Sequence, residues 1–410
     1  MGPLPPTIRA SPLTTSFREQ WTNPSDVFNI LLLLGGDIVG KALAQLAGSG
    51  LAPVAFSFGW VSYSLSALVS ALGENNLMPN YTDCRCKVIN GTTGHVIDNS
   101  SWIISRIVRD FHNWNHPETV KKTAEVLNAR WKELQVKNPN ANRPQRAGLV
   151  VTVYEPSREH SAGVPKRDFM YWGGILTVFL QLGIATIPCG LFDDWAILMI
   201  TACGTCISFA TGFLPQWKTE KWACRTESND SYVLTKGNGA QHAIVILGNG
   251  YGLNLEDLAA GQANINLSAN RLTQITLFGL CFLWLLLLVA ASGLTTNTWF
   301  LLVVGALGIL QNIFVVGGVR QPESFGIHLS YITVFGRTKV MKTLLDVEME
   351  YPRLGRSMRD EYFPGGLYEN EMKAWNQLEV RAKMDSNCKN SVIRLSGSST
   401  WPLKRDRRIG

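Results

Sequence analysis

The sequence predicts an all-α polytopic membrane protein, with about six transmembrane helices in three hairpins, cytosolic α/β insertions and a helical cytosolic tail. Three observations carry that expectation. Hydrophobic residues make up 46% of the 410 positions and gather in blocks of about 20, the length that crosses roughly 30 Å of hydrocarbon. Charged residues are only 17%, where about 25% is usual for soluble domains. The 38 Lys and Arg are sorted: all but Lys41 lie in the termini and two long loops, and the three short connectors hold none.

Residues 1–26 form a polar, Pro-rich tail with no apolar core of a signal peptide. The first hairpin is 27–74. Its first span, Val27–Leu46, opens with Ile30, Leu31, Leu32, Leu33 and Leu34 but then carries Asp37, Lys41 and Gln45; its second, Leu51–Leu72, is Ser-rich. Residues 75–169 are a cytosolic loop. Within it Val120, Ala124, Leu127, Trp131 and Leu134 recur at helical spacing between Pro117, a good first-turn residue, and a stop at Asn138-Pro139. A strand over Leu149–Tyr154 follows.

The second hairpin, 170–214, pairs Met170–Phe192 with Trp195–Leu214. In the loop 215–271, Tyr232–Thr235 and Ala243–Leu247 read as strands joined across Gly237-Asn238-Gly239. The glycines of 248–252 then lead to a helix over Leu255–Gln262. Glu256 and Asp257 in its first turn repel an anion, so Asn254 is a helix cap rather than part of a phosphate loop. The third hairpin, 272–319, comprises Leu272–Ser292 and Trp299–Val319. The tail 320–410 holds helices near Thr338–Glu350 and Leu367–Lys383 and a polar, basic end.

Cation placement puts both termini and both large loops in the cytosol, in the endoplasmic reticulum or another internal membrane. There the sequons at Asn80, Asn90, Asn99, Asn229 and Asn266 stay unglycosylated, and Cys84 and Cys86 stay reduced. The net charge of +7 matches anionic membrane lipid. A nucleic-acid partner is excluded, because basic residues alternate with acidic ones and no binding signature is present. Six spans leave room for a homo-oligomer or for pathway proteins docked on the loops.

The candidate chemistry lies in the first span. Asp37, Lys41 and Gln45, spaced i, i+4, i+8, share one helical face. A charge there costs at least about 2.5–3.5 kcal/mol, so it needs a reason. One reason is a site: Asp37 moving a proton beside Lys41, with Gln45, Ser62, Ser66, Gln181, Gln311 and Asn312 lining a polar cavity for substrate. The other is a structural ion pair with serines packed between helices. No metal site and no cofactor is expected. His112 and His116 have metal spacing but Pro117 follows, Cys203 and Cys206 sit among small intramembrane residues, and Asp193-Asp194 lacks a second acidic motif.

Several stretches also resemble an uncharacterised fungal family of multi-pass membrane proteins: Gly35-Gly36-Asp37-Ile38-Val39 with Lys41–Gln45, Phe56-Ser57-Phe58-Gly59-Trp60, the run Gly248–Ala259, and the tail with Lys339-Val340-Met341, Tyr351-Pro352-Arg353 and Phe363-Pro364-Gly365-Gly366. Members are sometimes encoded beside specialised-metabolite genes. The resemblance implies an accessory or biosynthetic component acting on a lipophilic small molecule, and it carries over no catalytic residues. An oligomeric transporter and a non-catalytic scaffold are the alternatives.

Overall fold

The protein is described here as a computed structural model covering residues 35–48, 50–73, 76–79, 84–261 and 271–378. The elements run α1 (Gly36–Leu46), α2 (Gly59–Gly73), β1 (Lys87–Asn90), β2 (Val96–Asp98), α3 (Trp102–Arg109), α4 (Phe111–Trp114), α5 (Pro117–Lys137), β3 (Leu149–Pro156), α6 (Phe169–Phe192), α7 (Ala196–Gly212), α8 (Pro215–Lys221), β4 (Tyr232–Thr235), β5 (His242–Ile246), α9 (Leu255–Ala260), α10 (Arg271–Ser292), α11 (Thr298–Gly317), β6 (Leu329–Arg337), α12 (Val340–Glu350) and α13 (Leu354–Tyr362). Residues 369–378 are also helical. The N-terminal tail, the start of the first predicted span, Asn80, Asn266 and everything after residue 378 lie outside the described residues.

The fold is not all-α. Six strands form one mixed sheet in the order β2-β1-β4-β5-β3-β6. Only β3 and β5 run parallel; the other pairings are antiparallel. The strands come from the loop 75–169, the loop 215–271 and the tail, so three segments that read as separate insertions build a single domain. β3, flanked by β5 and β6, is apolar at most positions, as a strand covered on both faces must be. Leu149, Val151 and Val153 pack on Leu344 and Val347 of α12 and on Met358 of α13. On the other face Val150 meets Val126 of α5, the Thr152 and Thr119 hydroxyls lie 3.2 Å apart, and Tyr154 joins Ile103, Ile104 and Ile107 of α3. The glycine-flanked turn between β4 and β5 forms as expected, with Gly237 and Gly239 at positive φ. Asn254 caps α9 by accepting from the backbone N–H groups of Glu256 and Asp257.

The number of spans is also lower than about six: among the described residues three helices are long and apolar enough to cross a membrane, α6, α10 and α11. α7 reaches that standard only if joined to α8, across a 42° bend. At 1.5 Å per residue, the 11 residues of α1 rise about 16 Å and the 15 of α2 about 22 Å, short of about 30 Å of hydrocarbon. What hydropathy reads as continuous helix over Leu51–Leu72 begins with non-helical backbone. Residues 51–58 form no helix, yet from Ala52 to Phe58 every residue is buried.

Glycines make that path possible. A Cβ on Gly308 of α11 would stand 1.8 Å from the Phe56 carbonyl oxygen, one on Gly174 of α6 2.1 Å from that of Pro53, and one on Gly204 of α7 2.5 Å from the Phe56 ring. These glycines bring helices close to a non-helical segment rather than to other helices. The stacked rings of Phe56 and Trp284, and of Trp60 and Trp284, fill the space beside it. Non-helical backbone at membrane depth is tolerated only where protein surrounds it and takes up its hydrogen bonds.

Candidate functional site

The residues expected to line a polar cavity do not converge on one. Asp37 is exposed and Lys41 half-buried, on the outer side of α1, while Gln45 further along the same face is buried. The proposed acid–base couple is therefore not sealed in the bundle. Ser62 faces Gly36, but Ser66 is exposed and its hydroxyl donates to the Tyr63 carbonyl. Gln181 and Asn312 are buried for a different reason. Gln181 Nε2 donates to Phe56 O at 2.7 Å and to Val304 O at 2.8 Å. Asn312 Nδ2 donates to Ala55 O at 3.2 Å and to Ser57 Oγ at 3.3 Å. These amides replace the helical N–H groups that the non-helical carbonyls lack. Gln311 lies against Gly173, which brings α11 close to α6. Cys203 and Cys206 are both exposed, on the outside of α7.

Several cations of the loops and tail are buried at the junction between bundle and sheet domain. Lys221 Nζ donates to Gln45 O at 3.0 Å and Ala47 O at 2.9 Å, and Arg320 also reaches Gln45 O. Arg106 donates to Val316 O at 3.0 Å. The carbonyl ends of α1 and α11 thus receive positive charge where their dipoles and unpaired acceptors need it. Asp168 caps the N-terminus of α6 through Tyr171 N and pairs with Arg320 at 2.6 Å. Burial pushes the Asp168 carboxyl up, but the Arg320 hydrogen bond and charge outweigh it and hold the group below its usual range.

A cleft better suited to a ligand opens at the end of the sheet domain. It holds about 290 Å³ between the β4–β5 hairpin and the α3–α4 corner. Val108, Phe111, Leu234 and Ile244 supply apolar lining; His112, Arg146, Lys236, Gln241 and His242 supply the polar part; no carboxylate takes part. The hairpin fixes Lys236 and His242 on opposite sides of its turn, and the Gln241 carbonyl is anchored by Val150 N at 2.8 Å. The His242 ring lies 5.2 Å from His112 and 5.4 Å from Phe111. Burial, then the neighbouring His112 and Lys236, push His242 down to about 4, so its imidazole is neutral at physiological pH. His242 Nδ1 and Gln241 Nε2 are buried without a partner. An unmet buried polar atom costs about 1–3 kcal/mol, which a polar ligand group would recover.

His112 and His116, discounted as a metal pair because Pro117 follows, lie apart in the structure. His112 enters the cleft. His116 stacks on Tyr331 at 3.9 Å, and its Nδ1 accepts from Glu118 N at the start of α5. The ring that joins His112 comes from β5, and no local motif announces it. A polar hairpin tip, Lys236 to His242, was the only signal in the sequence. Among the described residues no group of three or more His, Cys, Asp or Glu is placed to hold a metal ion. Comparison with known proteins gives no match to any family model, any curated protein or any solved structure.

Proposed function

We propose that this protein is a membrane-anchored binding component for a small organic acid, working within a pathway that handles lipophilic metabolites, its sheet domain facing the cytosol. One observation carries the reading: a cleft with an apolar floor, two cations, two imidazoles, two unpaired buried polar atoms and no carboxylate. Lys236 and Arg146 complement a carboxylate or phosphate, whose charge-assisted hydrogen bonds are the strong ones. Neutral His242 accepts a proton donor of the ligand at Nδ1, and Phe111 with Leu234 and Ile244 takes its apolar body. The resemblance to fungal proteins encoded beside specialised-metabolite genes supports the pathway context. Gln181 and Asn312, two polar side chains that a path through the bundle would use, are engaged in holding residues 55–57, so binding on the sheet domain is favoured over transport.

The test is thermal stabilisation of the purified full chain in detergent by benzoate and phenyl phosphate, with uncharged benzamide as control. The acids raise the melting temperature, and the double substitution Lys236→Gln, Arg146→Gln removes the effect. Equal stabilisation by benzamide, or an undiminished response in the double variant, overturns the proposal.

A further inference from the structure

A second cavity, of about 510 Å³, lies where the long helices end. Arg167, one residue before the Asp168 cap of α6, and Lys218, in α8, line it together with Gly48, Gly163, Gly212 and Phe213. No carboxylate lines it, and the neighbouring Lys166 is already paired with Glu323 at 2.8 Å. Both cations of the groove are exposed, and the Arg167 guanidinium lies 5.1 Å over the Tyr171 ring, which fixes its direction. The groove sits at the level of a membrane surface. α6 begins and α7 ends beside it, and large apolar side chains at those ends are turned outward: Phe169 is 76% exposed, Trp172 56% and Phe213 63%. Trp172 is of the amphipathic aromatic type that marks the headgroup zone. The outward Phe213 continues the groove as apolar surface.

We propose that this groove seats the phosphate of an anionic glycerophospholipid, with Arg167 and Lys218 on the headgroup and the acyl chains running past Phe213. The site is independent of the acid-binding cleft, because the two share no residue. Each surface cation contributes about a factor of five to binding of an anionic headgroup, so losing both weakens binding by about 30-fold.

The experiment titrates the full chain in neutral detergent with short-chain phosphatidylglycerol, short-chain phosphatidylcholine and inorganic phosphate at constant ionic strength, reading binding by native mass spectrometry. Phosphatidylglycerol binds at least tenfold more tightly than phosphatidylcholine, and inorganic phosphate does not compete at millimolar concentration. Arg167→Gln with Lys218→Gln removes that preference. Lys121→Gln with Lys132→Gln, two exposed cations on α5 away from the groove, keeps it. Both variants change exposed side chains, and unchanged melting without lipid confirms that each folds. Equal binding of the two lipids overturns the proposal, as does a preference that survives in the groove variant. Competition by inorganic phosphate assigns the groove to a free anion and overturns the lipid reading.

Discussion

Gly308→Ala tests whether a non-helical segment is threaded through the bundle. In a helix facing another helix or lipid, Gly→Ala is neutral or stabilising by up to about 1 kcal/mol, because Ala is the better helix former. At position 308 the added Cβ would stand 1.8 Å from the Phe56 carbonyl oxygen and 2.8 Å from Gln181 Nε2. Ordinary contact needs more than 3.4 Å, so backbone must move by over an ångström. Overpacking of this sort costs about 1–3 kcal/mol. Moving Phe56 also breaks its bond from Gln181 and leaves a buried carbonyl unmet, at about 1–3 kcal/mol more. After the helix-propensity gain, the net loss is about 2–4 kcal/mol, a fall of roughly 2–5 °C in melting temperature for a chain of this size. In Gly305→Ala the nearest atoms belong to the Phe58 side chain and not to backbone, so it loses less. Gly183→Ala on α6 meets nothing within 4 Å and serves as the control. Melting in detergent, followed by tryptophan fluorescence, ranks the three variants. If Gly308→Ala melts within about 1 °C of Gly183→Ala, residues 52–58 do not run where the structure has them.

Other outcomes follow from the same contacts. Asp168→Asn keeps a good helix cap but leaves buried Arg320 without its counter-charge, and lowers stability by about 2–3 kcal/mol; Asp168→Ala loses the cap as well and falls about 1 kcal/mol further. Denaturation of the two variants side by side separates charge from cap, and equal losses contradict the double role. Folded His242 titrates below its unfolded value, at about 4 against 6.5. The unfolded chain therefore takes up the proton first, and stability present above pH 6.5 drains as pH falls toward 4, by at most about 3 kcal/mol. His242→Phe flattens that part of the melting-temperature profile, and a profile unchanged by the substitution refutes the buried neutral imidazole. Asn254→Ala costs about 1 kcal/mol, whereas Asn254→Asp stays near wild type, as a capping side chain requires. Chemical denaturation measures both, and an equal loss in the two variants removes the capping role.

The sequence by itself determined where apolar helix and polar domain alternate. The blocks that became α6, α10 and α11 are uniformly apolar over a full membrane thickness, and β3, β4, β5, the hairpin glycines and the Asn254 cap follow from local patterns of two to five residues. Such features are set by neighbours in the chain, so they are legible without a fold. Tertiary structure alone decided the rest. Ala52–Phe58 has the composition of a helix but is not helical, because Gln181, Asn312 and glycines of α6, α7 and α11 provide its hydrogen bonds and its space. Hydropathy cannot see those partners, and so it counted too many spans. Charge sorting likewise counted Lys221 and Arg320 only as cations of a loop and the tail, whereas both reach the carbonyl end of α1. The cleft is the clearest case: His112 and His242 meet only after two distant segments pair in one sheet, and long-range pairing of that kind leaves no periodic trace along the chain.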